Sequence, residues 1–279
     1  MTWSKADLMT EEELVERTES PATVSSLTRD FEALELSQFP ALMVHSSLSA
    51  LGWVVGGSQA VVLALQGALG EEVTLVMPSH SSPLCDPAGW RNPPVPQSWF
   101  ETIRREMPAF DPEMTPTRDM GAIVNCFLSQ RDVLRSSHPS DSFCARGPLA
   151  AQITDNHSLD MCFGERSPLA RLYDLDASVL LLGVGHESNT SLHLAEYRAN
   201  WPGKKFVGDG APILVNGERR WQRYEDLDLV SDDFPTLGED FERGTSFVRI
   251  GHVGLAECRL MSQRAVVDYA VGWMERNRT

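Results

Sequence analysis

Residues 183–196 read GVGHESNTSLHLAE and follow the aliphatic run SVLLL. They hold two imidazoles and two carboxylates, His186, Glu187, His193 and Glu196. An imidazole changes charge near neutral pH, so it can move a proton or bind a metal. His193 and Glu196 are three residues apart, neighbours on one helical face. A carboxylate in that position fixes the ring tautomer and raises its basicity, which suits a general base. An ordinary helix histidine with a surface ion pair is the plain alternative, and placement at the end of a buried strand brings the two readings level. The spacing disfavours a metal site. His186 and His193 are seven apart with only the second inside the helix, and there is no HExxH.

Two other apolar runs also end in polar clusters, HSS at 45–47 and PSHSS at 78–82, beside GHES at 185–188. In open α/β sheets ligands bind at the carboxyl ends of strands, so the three clusters point to one site. A Walker phosphate loop, a complete GxGxxG and a GxSxG elbow are all missing. RSSHPSDS groups Arg135, Ser136, Ser137 and His138, which can hold phosphates or a pantetheine amide, although an ordinary polar strand is preferred. RYEDLDLVSDDF puts Asp226 and Asp228 on one side of an extended segment, with Glu225, Asp232 and Asp233 nearby. Such a segment can hold a polycation by charge-assisted hydrogen bonds, or be a solvated acidic loop.

The elements that must carry these groups follow from periodicity. ALMVHSS (41–47), EEVTLVMPSH (71–80) and SVLLLGVG (178–185) read as buried strands, and GGSQAVVLALQGALG as a helix between the first two. Residues 81–120 carry eight prolines and two tryptophans, which predicts a packed irregular loop around a site with SWFETIRREM as a short helix. GAIVNCFLSQ reads as a helix, as do GPLAAQITDNH and SPLARLYDLD, with proline near the first turn. NTSLHLAEYRAN is a helix capped by Asn189 or Ser188. PILVNGERRWQRYE is a hairpin around Asn-Gly, and the last segment ends in a strand and a long amphipathic helix. The expectation is a three-layer α/β/α sandwich with a mixed, largely parallel central sheet, antiparallel strands joining near the C-terminal part. One domain spans 1–279, with 1–21 a helical extension.

Composition narrows the partners. The chain carries 24 basic and 39 acidic side chains, a net charge of −15, which disfavours nucleic acid and favours a cationic small molecule. No apolar run approaches a membrane span and no signal peptide precedes the first element. Five scattered cysteines without a CxxC argue for reduced thiols and a cytoplasmic protein.

Taken together, LMVHSSLSALGWVVGG, TLVMPSH, NPPVP with MPAFDPEMTPTRDMGAI, RSSHPSDSFCARGP, ERSPLARLYDLDASVLLLGVGHESNTSLHLAE and YEDLDLVSDDF resemble the aminoglycoside 3-N-acetyltransferases. This superfamily of antibiotic N-acetyltransferases is distinct from the GCN5-related fold, and the motifs run in its order over about residues 22–275. The resemblance implies acetyl transfer from acetyl-coenzyme A to an amine without a metal. It implies coenzyme A contacts at His45, Ser46, Ser47, Ser79, Ser137 and His138, and aminoglycoside contacts at Asp226 and Asp228, with Asp86 more weakly placed. His193 is implied as the catalytic residue, and the helical spacing adds Glu196 as the group that orients it. Direct transfer to the 3-amino group of a 2-deoxystreptamine drug is expected, from a monomer or homodimer. Acetylation of another amine, or coenzyme A binding without antibiotic activity, remains the alternative; thioester hydrolysis is a poorer one. Donors near Ser46, Ser47 or residues 188–190 are expected to stabilise the thioester oxygen.

Overall fold

The computed structural model describes residues 10–279. In chain order these form α1 (Glu11–Glu16), α2 (Val24–Ala33), β1 (Ala41–Ser46), α3 (Gly57–Leu69), β2 (Thr74–Pro78), α4 (Phe100–Glu106), α5 (Gly121–Leu128), β3 (Leu134–Arg135) and β4 (Phe143–Arg146). They continue with α6 (Ala150–Thr154), α7 (Pro168–Asp174), β5 (Ser178–Leu182), α8 (Ser191–Arg198), β6 (Phe206–Val215), β7 (Glu218–Leu227), α9 (Phe234–Gly244), β8 (Val248–Val253), β9 (Ala256–Ser262) and α10 (Gln263–Asn277).

The unbroken apolar runs have a geometric cause. Side chains alternate between the faces of a strand, so a strand covered on both faces needs apolar groups at every position. In β5, Val179 and Leu181 enter one core with Leu194, Phe234 and Val266, whereas Leu180 and Leu182 enter the other with Phe31, Val61 and Phe127. Helices α2, α3 and α5 therefore cover one face and α6 to α10 the other, giving the three expected layers. Each fully buried leucine contributes about 1.5–3 kcal/mol of transfer free energy.

The seven-stranded sheet has the order β3-β4-β2-β1-β5-β9-β8. Strands β2, β1 and β5 are mutually parallel, with His45 opposite Leu181 and Ser46 opposite Leu182. Their carboxyl ends share one edge, so the three polar clusters do converge. The parallel part is confined to these strands, because β4, β3, β9 and β8 all pair antiparallel. The reason is local: β8 and β9 are joined through only Gly254 and Leu255, and so short a connection makes an antiparallel hairpin.

The Asn-Gly hairpin forms as expected, with Asn216 at φ 53° and Gly217 at φ 81°, the left-handed pair that a tight hairpin turn requires. Yet β6 and β7 make a separate two-stranded sheet, and β8 and β9 extend the central one instead. Helix α8 also starts differently. Thr190 occupies the cap position without a side-chain bond, and Asn189 Oδ1 accepts from the Ser191 N–H at 3.3 Å. Of the expected helical extension at 1–21, α1 is helical with a Thr10–Glu13 capping box; residues 1–9 lie outside the described residues. No helix among the described residues is long and apolar enough to cross a membrane.

Candidate active site

His193 sits in the first turn of α8, just after the β5 exit. That exit needs Gly183, at φ +67°, because a Cβ there would lie 2.3 Å from the Ala50 Cβ. The His193 ring stacks on Phe163 at 5.1 Å and 11° and packs against Phe234 at 4.9 Å. Its Nδ1 is 2.5 Å from Glu196 Oε2. An ionised carboxylate only accepts, so Nδ1 carries the ring proton and Nε2 keeps its lone pair. No hydrogen bond to Nε2 forms among the described residues. Glu196 is fully buried, and its other oxygen accepts from the Val230 N–H at 2.9 Å and from Arg278 at 2.7 Å. The pair is thus an oriented imidazole held by a buried carboxylate, which is the arrangement a general base requires.

His45 lies on the same sheet face as Ala41 and Met43, the face that α8 covers. Its Nε2 is buried without a partner, and so is that of His80. Burial pushes His45 down to about 3, helped by the nearby His80 and His193 rings. Burial pushes His80 down to about 4 against the opposing pull of Asp141. Both are therefore neutral at pH 7. Phe163 links the site together, since His80 packs on it at 5.5 Å and His193 stacks on it. Buried polar atoms are normally satisfied, so His45 and His80 stand out here as two buried, unpaired imidazole nitrogens near the His193 ring.

The neighbours of His45 separate. Ser46 points to the opposite sheet face by strand alternation, and Ser47 Oγ is 3.2 Å from Ser49 Oγ. Ser79 is fully buried, with its hydroxyl 3.2 Å from Ser142 Oγ. His138 is buried, with Nε2 3.1 Å from the Leu159 carbonyl and Nδ1 accepting from the Asp141 N–H at 3.0 Å. Ser137 is exposed. Arg135 is not available to a phosphate. It donates to Ser142 at 2.9 Å, to the Thr115 carbonyl at 2.5 Å, and to the Ser79 carbonyl and Ser81 at 2.7 and 2.8 Å. These bonds, with Arg118 N donating to the His80 carbonyl at 2.8 Å, tie the irregular 81–120 segment to the edge that holds the site.

The acidic residues do not form one rim. Asp226 is buried and accepts from the Tyr197 hydroxyl and from the Cys162 N–H at 2.9 Å. Asp228 lies beyond β7, half exposed, and pairs with Lys205 at 2.8 Å. Asp86 is clamped by Arg104 through bonds of 3.0 and 2.8 Å, and its N–H donates to Asp209 at 2.8 Å. A cleft of about 730 Å³ opens between the β6–β7 hairpin and residues 159–161, lined by Asp160, Phe206, Gln222, Arg223, Tyr224 and Glu225 among others. Tyr224 and Leu159 both touch His138, so this cleft adjoins the histidine cluster.

His186, the first histidine of the stretch, belongs to the scaffold. Its Nε2 is 3.0 Å from Glu242 of α9, and α9 crosses it at Gly238, where a Cβ would meet the ring at 2.0 Å. Sequence reasoning missed His80 and Asp141, although both lie in polar clusters it had marked, and missed Arg278, for which no local signal exists. Among the described residues no group of three or more His, Cys, Asp or Glu is placed to hold a metal ion.

The histidine cluster has a consequence for stability. His45 and His157, both 6% exposed, titrate near 3 because burial disfavours their charged forms. The unfolded chain binds those protons near 6.5, so below that pH it holds more protons than the native state. Stability is then lost as pH falls from about 6.5, each group adding a slope that approaches about 1.4 kcal/mol per pH unit. Urea midpoints between pH 6.5 and 4.5 measure this. The midpoint is expected to drop steadily, and His157→Asn to flatten the drop; a constant midpoint would contradict the buried neutral rings.

A sequence model of the aminoglycoside 3-N-acetyltransferase family matches residues 43–275, the span that holds the converging strand ends and the His193–Glu196 pair. The chain belongs to that family, and it is an acetyltransferase. It is similar to the SPbeta prophage-derived aminoglycoside N(3')-acetyltransferase-like protein YokD of Bacillus subtilis, 45% identical over 265 residues covering 95% of this chain and 96% of the relative. The crystal structure of YokD matches with a TM-score of 0.92 over 95% of this chain and 98% of that one, at 44% identity. Aminoglycoside N(3)-acetyltransferase VII of Streptomyces paromomycinus is 38% identical over 96% of both chains. A structure described as AAC-IIIb binary with CoASH matches with a TM-score of 0.82 at 31% identity, covering 92% of this chain and 97% of that one.

Proposed function

We propose that this acetyltransferase moves the acetyl group of acetyl-coenzyme A to the 3-amino group of 2-deoxystreptamine aminoglycosides, in the cytoplasm and without a metal. The observation that carries this reading is the His193–Glu196 pair, oriented at 2.5 Å with a free Nε2 beside the edge where three strands end. A protonated amine has no lone pair, so the reacting nitrogen must be neutral when it attacks. Its lone pair forms the C–N bond at the thioester carbonyl carbon, and His193 Nε2 takes the proton released from that nitrogen. The C–S bond breaks, and the thiolate of coenzyme A leaves and is then protonated. The neutral His80 and His45 rings have buried Nε2 atoms to offer the thioester oxygen or the acceptor. Support for coenzyme A as carrier comes from the similar AAC-IIIb structure, which holds CoASH.

Thiol release from acetyl-coenzyme A, followed across a panel of aminoglycosides, tests the proposal. Release that depends on a 2-deoxystreptamine drug, with the product acetylated at the 3-amino position, is expected. A second reading has its own observation: Asp226 and Asp228 are occupied by Tyr197 and Lys205 rather than facing one acceptor. That favours a different amine, and it predicts release with other amines but none with the drugs.

A further inference from the structure

The Glu196 carboxylate has three partners, one of them the Val230 N–H on Oε1. Oε2 meets His193, and Oε1 meets Arg278. Arg278 follows α10 directly and lies outside the segment that the family model matches. Its side chain is 7% exposed. Besides Glu196, it forks onto Asp233 through bonds of 2.8 and 2.7 Å and donates to the Val230 carbonyl at 2.7 Å. Its guanidinium also lies over the Trp201 ring at 4.8 Å. Asp233 immediately precedes α9, whose first residue, Phe234, packs on the His193 ring. One guanidinium therefore holds both the carboxylate that orients His193 and the helix start that walls it.

We propose that Arg278 is a positioning residue for the His193–Glu196 pair, fixing the carboxylate and sharing its charge. This rests on the reading of His193 as the base. Arg278 Nη1 and the Val230 N–H both bind Oε1, which anchors that side of the carboxylate and so the direction of Oε2. The guanidinium also sets a second positive group on the carboxylate that faces the ring. The other charged or titratable groups facing this unit are few. His45 and His80 face His193, Lys204 acts on Glu196, and Asp233 neutralises Arg278 from the far side.

The test is an NMR titration of the His193 ring in the wild type, Arg278→Gln and Arg278→Lys, beside pH profiles of kcat and of the KM for acetyl-coenzyme A. Without the guanidinium the full Glu196 charge falls on the imidazolium, so in Arg278→Gln the His193 titration is expected to move up by about one pH unit. The kcat at neutral pH falls roughly ten- to a hundredfold as the ring loses its bearing, while the KM for acetyl-coenzyme A stays close to that of the wild type. Lysine keeps the charge without the fork, so Arg278→Lys returns the titration to its original pH and restores part of kcat. An unmoved His193 titration in Arg278→Gln overturns the proposal, as does a shift that lysine fails to reverse. If the titration behaves as expected but the wild type acetylates no amine, the acetyl-transfer reading fails and the placement of Arg278 stands.

Discussion

His193→Ala is expected to lower kcat for acetyl transfer by roughly 10² to 10⁴, with coenzyme A binding nearly unchanged. The expectation follows from what the ring touches. Its Nδ1 is committed to Glu196 and its faces to Phe163 and Phe234, so Nε2 alone is left to meet a substrate. Removing it deletes the proton acceptor but none of the groups carried over for coenzyme A. Steady-state kinetics with calorimetric titration of coenzyme A separate the two effects. Turnover at the wild-type level would remove His193 from the mechanism and leave His45 or His80 to be examined in its place.

Glu196→Gln should affect both activity and stability. The amide keeps the shape but loses the charge, while Arg278 stays buried beside it. Breaking one side of a buried ion pair costs about 3–5 kcal/mol, and a value at the low end is expected because Asp233 still holds Arg278. The imidazolium loses its stabilising anion, so His193 titrates at lower pH and becomes a weaker base. The acidic limb of the kcat profile thus moves down in Glu196→Gln and up in Arg278→Gln. Opposite shifts from two variants of one contact separate electrostatic coupling from general loosening of the fold. Shifts in the same direction would refute the coupling.

The parts of this molecule that were legible in the sequence are those decided within a few residues. The runs of β1, β2 and β5 announced buried strands because both faces are covered, and the polar groups behind them announced a shared edge. His193 and Glu196 met as a helix turn demands. What stayed hidden depends on distant partners. Glu196 completes its bonding with Arg278, 82 residues away, and His186 finds Glu242, 56 residues away. Nothing near Arg135 foretold that its donors would be spent on residues 79 and 81, 115 and 142. Asp226 and Asp228 share a face only if the strand continues through both, and β7 ends at Leu227. Whether the hairpin or the next two strands would extend the sheet was likewise undecidable, since both have antiparallel patterning.

The separation of the β6–β7 hairpin from the central sheet has an evolutionary consequence. Its ten register pairs are made only within itself, and it walls the cleft beside the histidine cluster. Exposed positions such as Phe206, Gln222 and Glu225 can change at a cost usually within about 0.5 kcal/mol, leaving the seven-stranded sheet and the His193–Glu196 pair untouched. On the proposed reading, this ribbon can therefore change under selection while the catalytic frame is inherited intact.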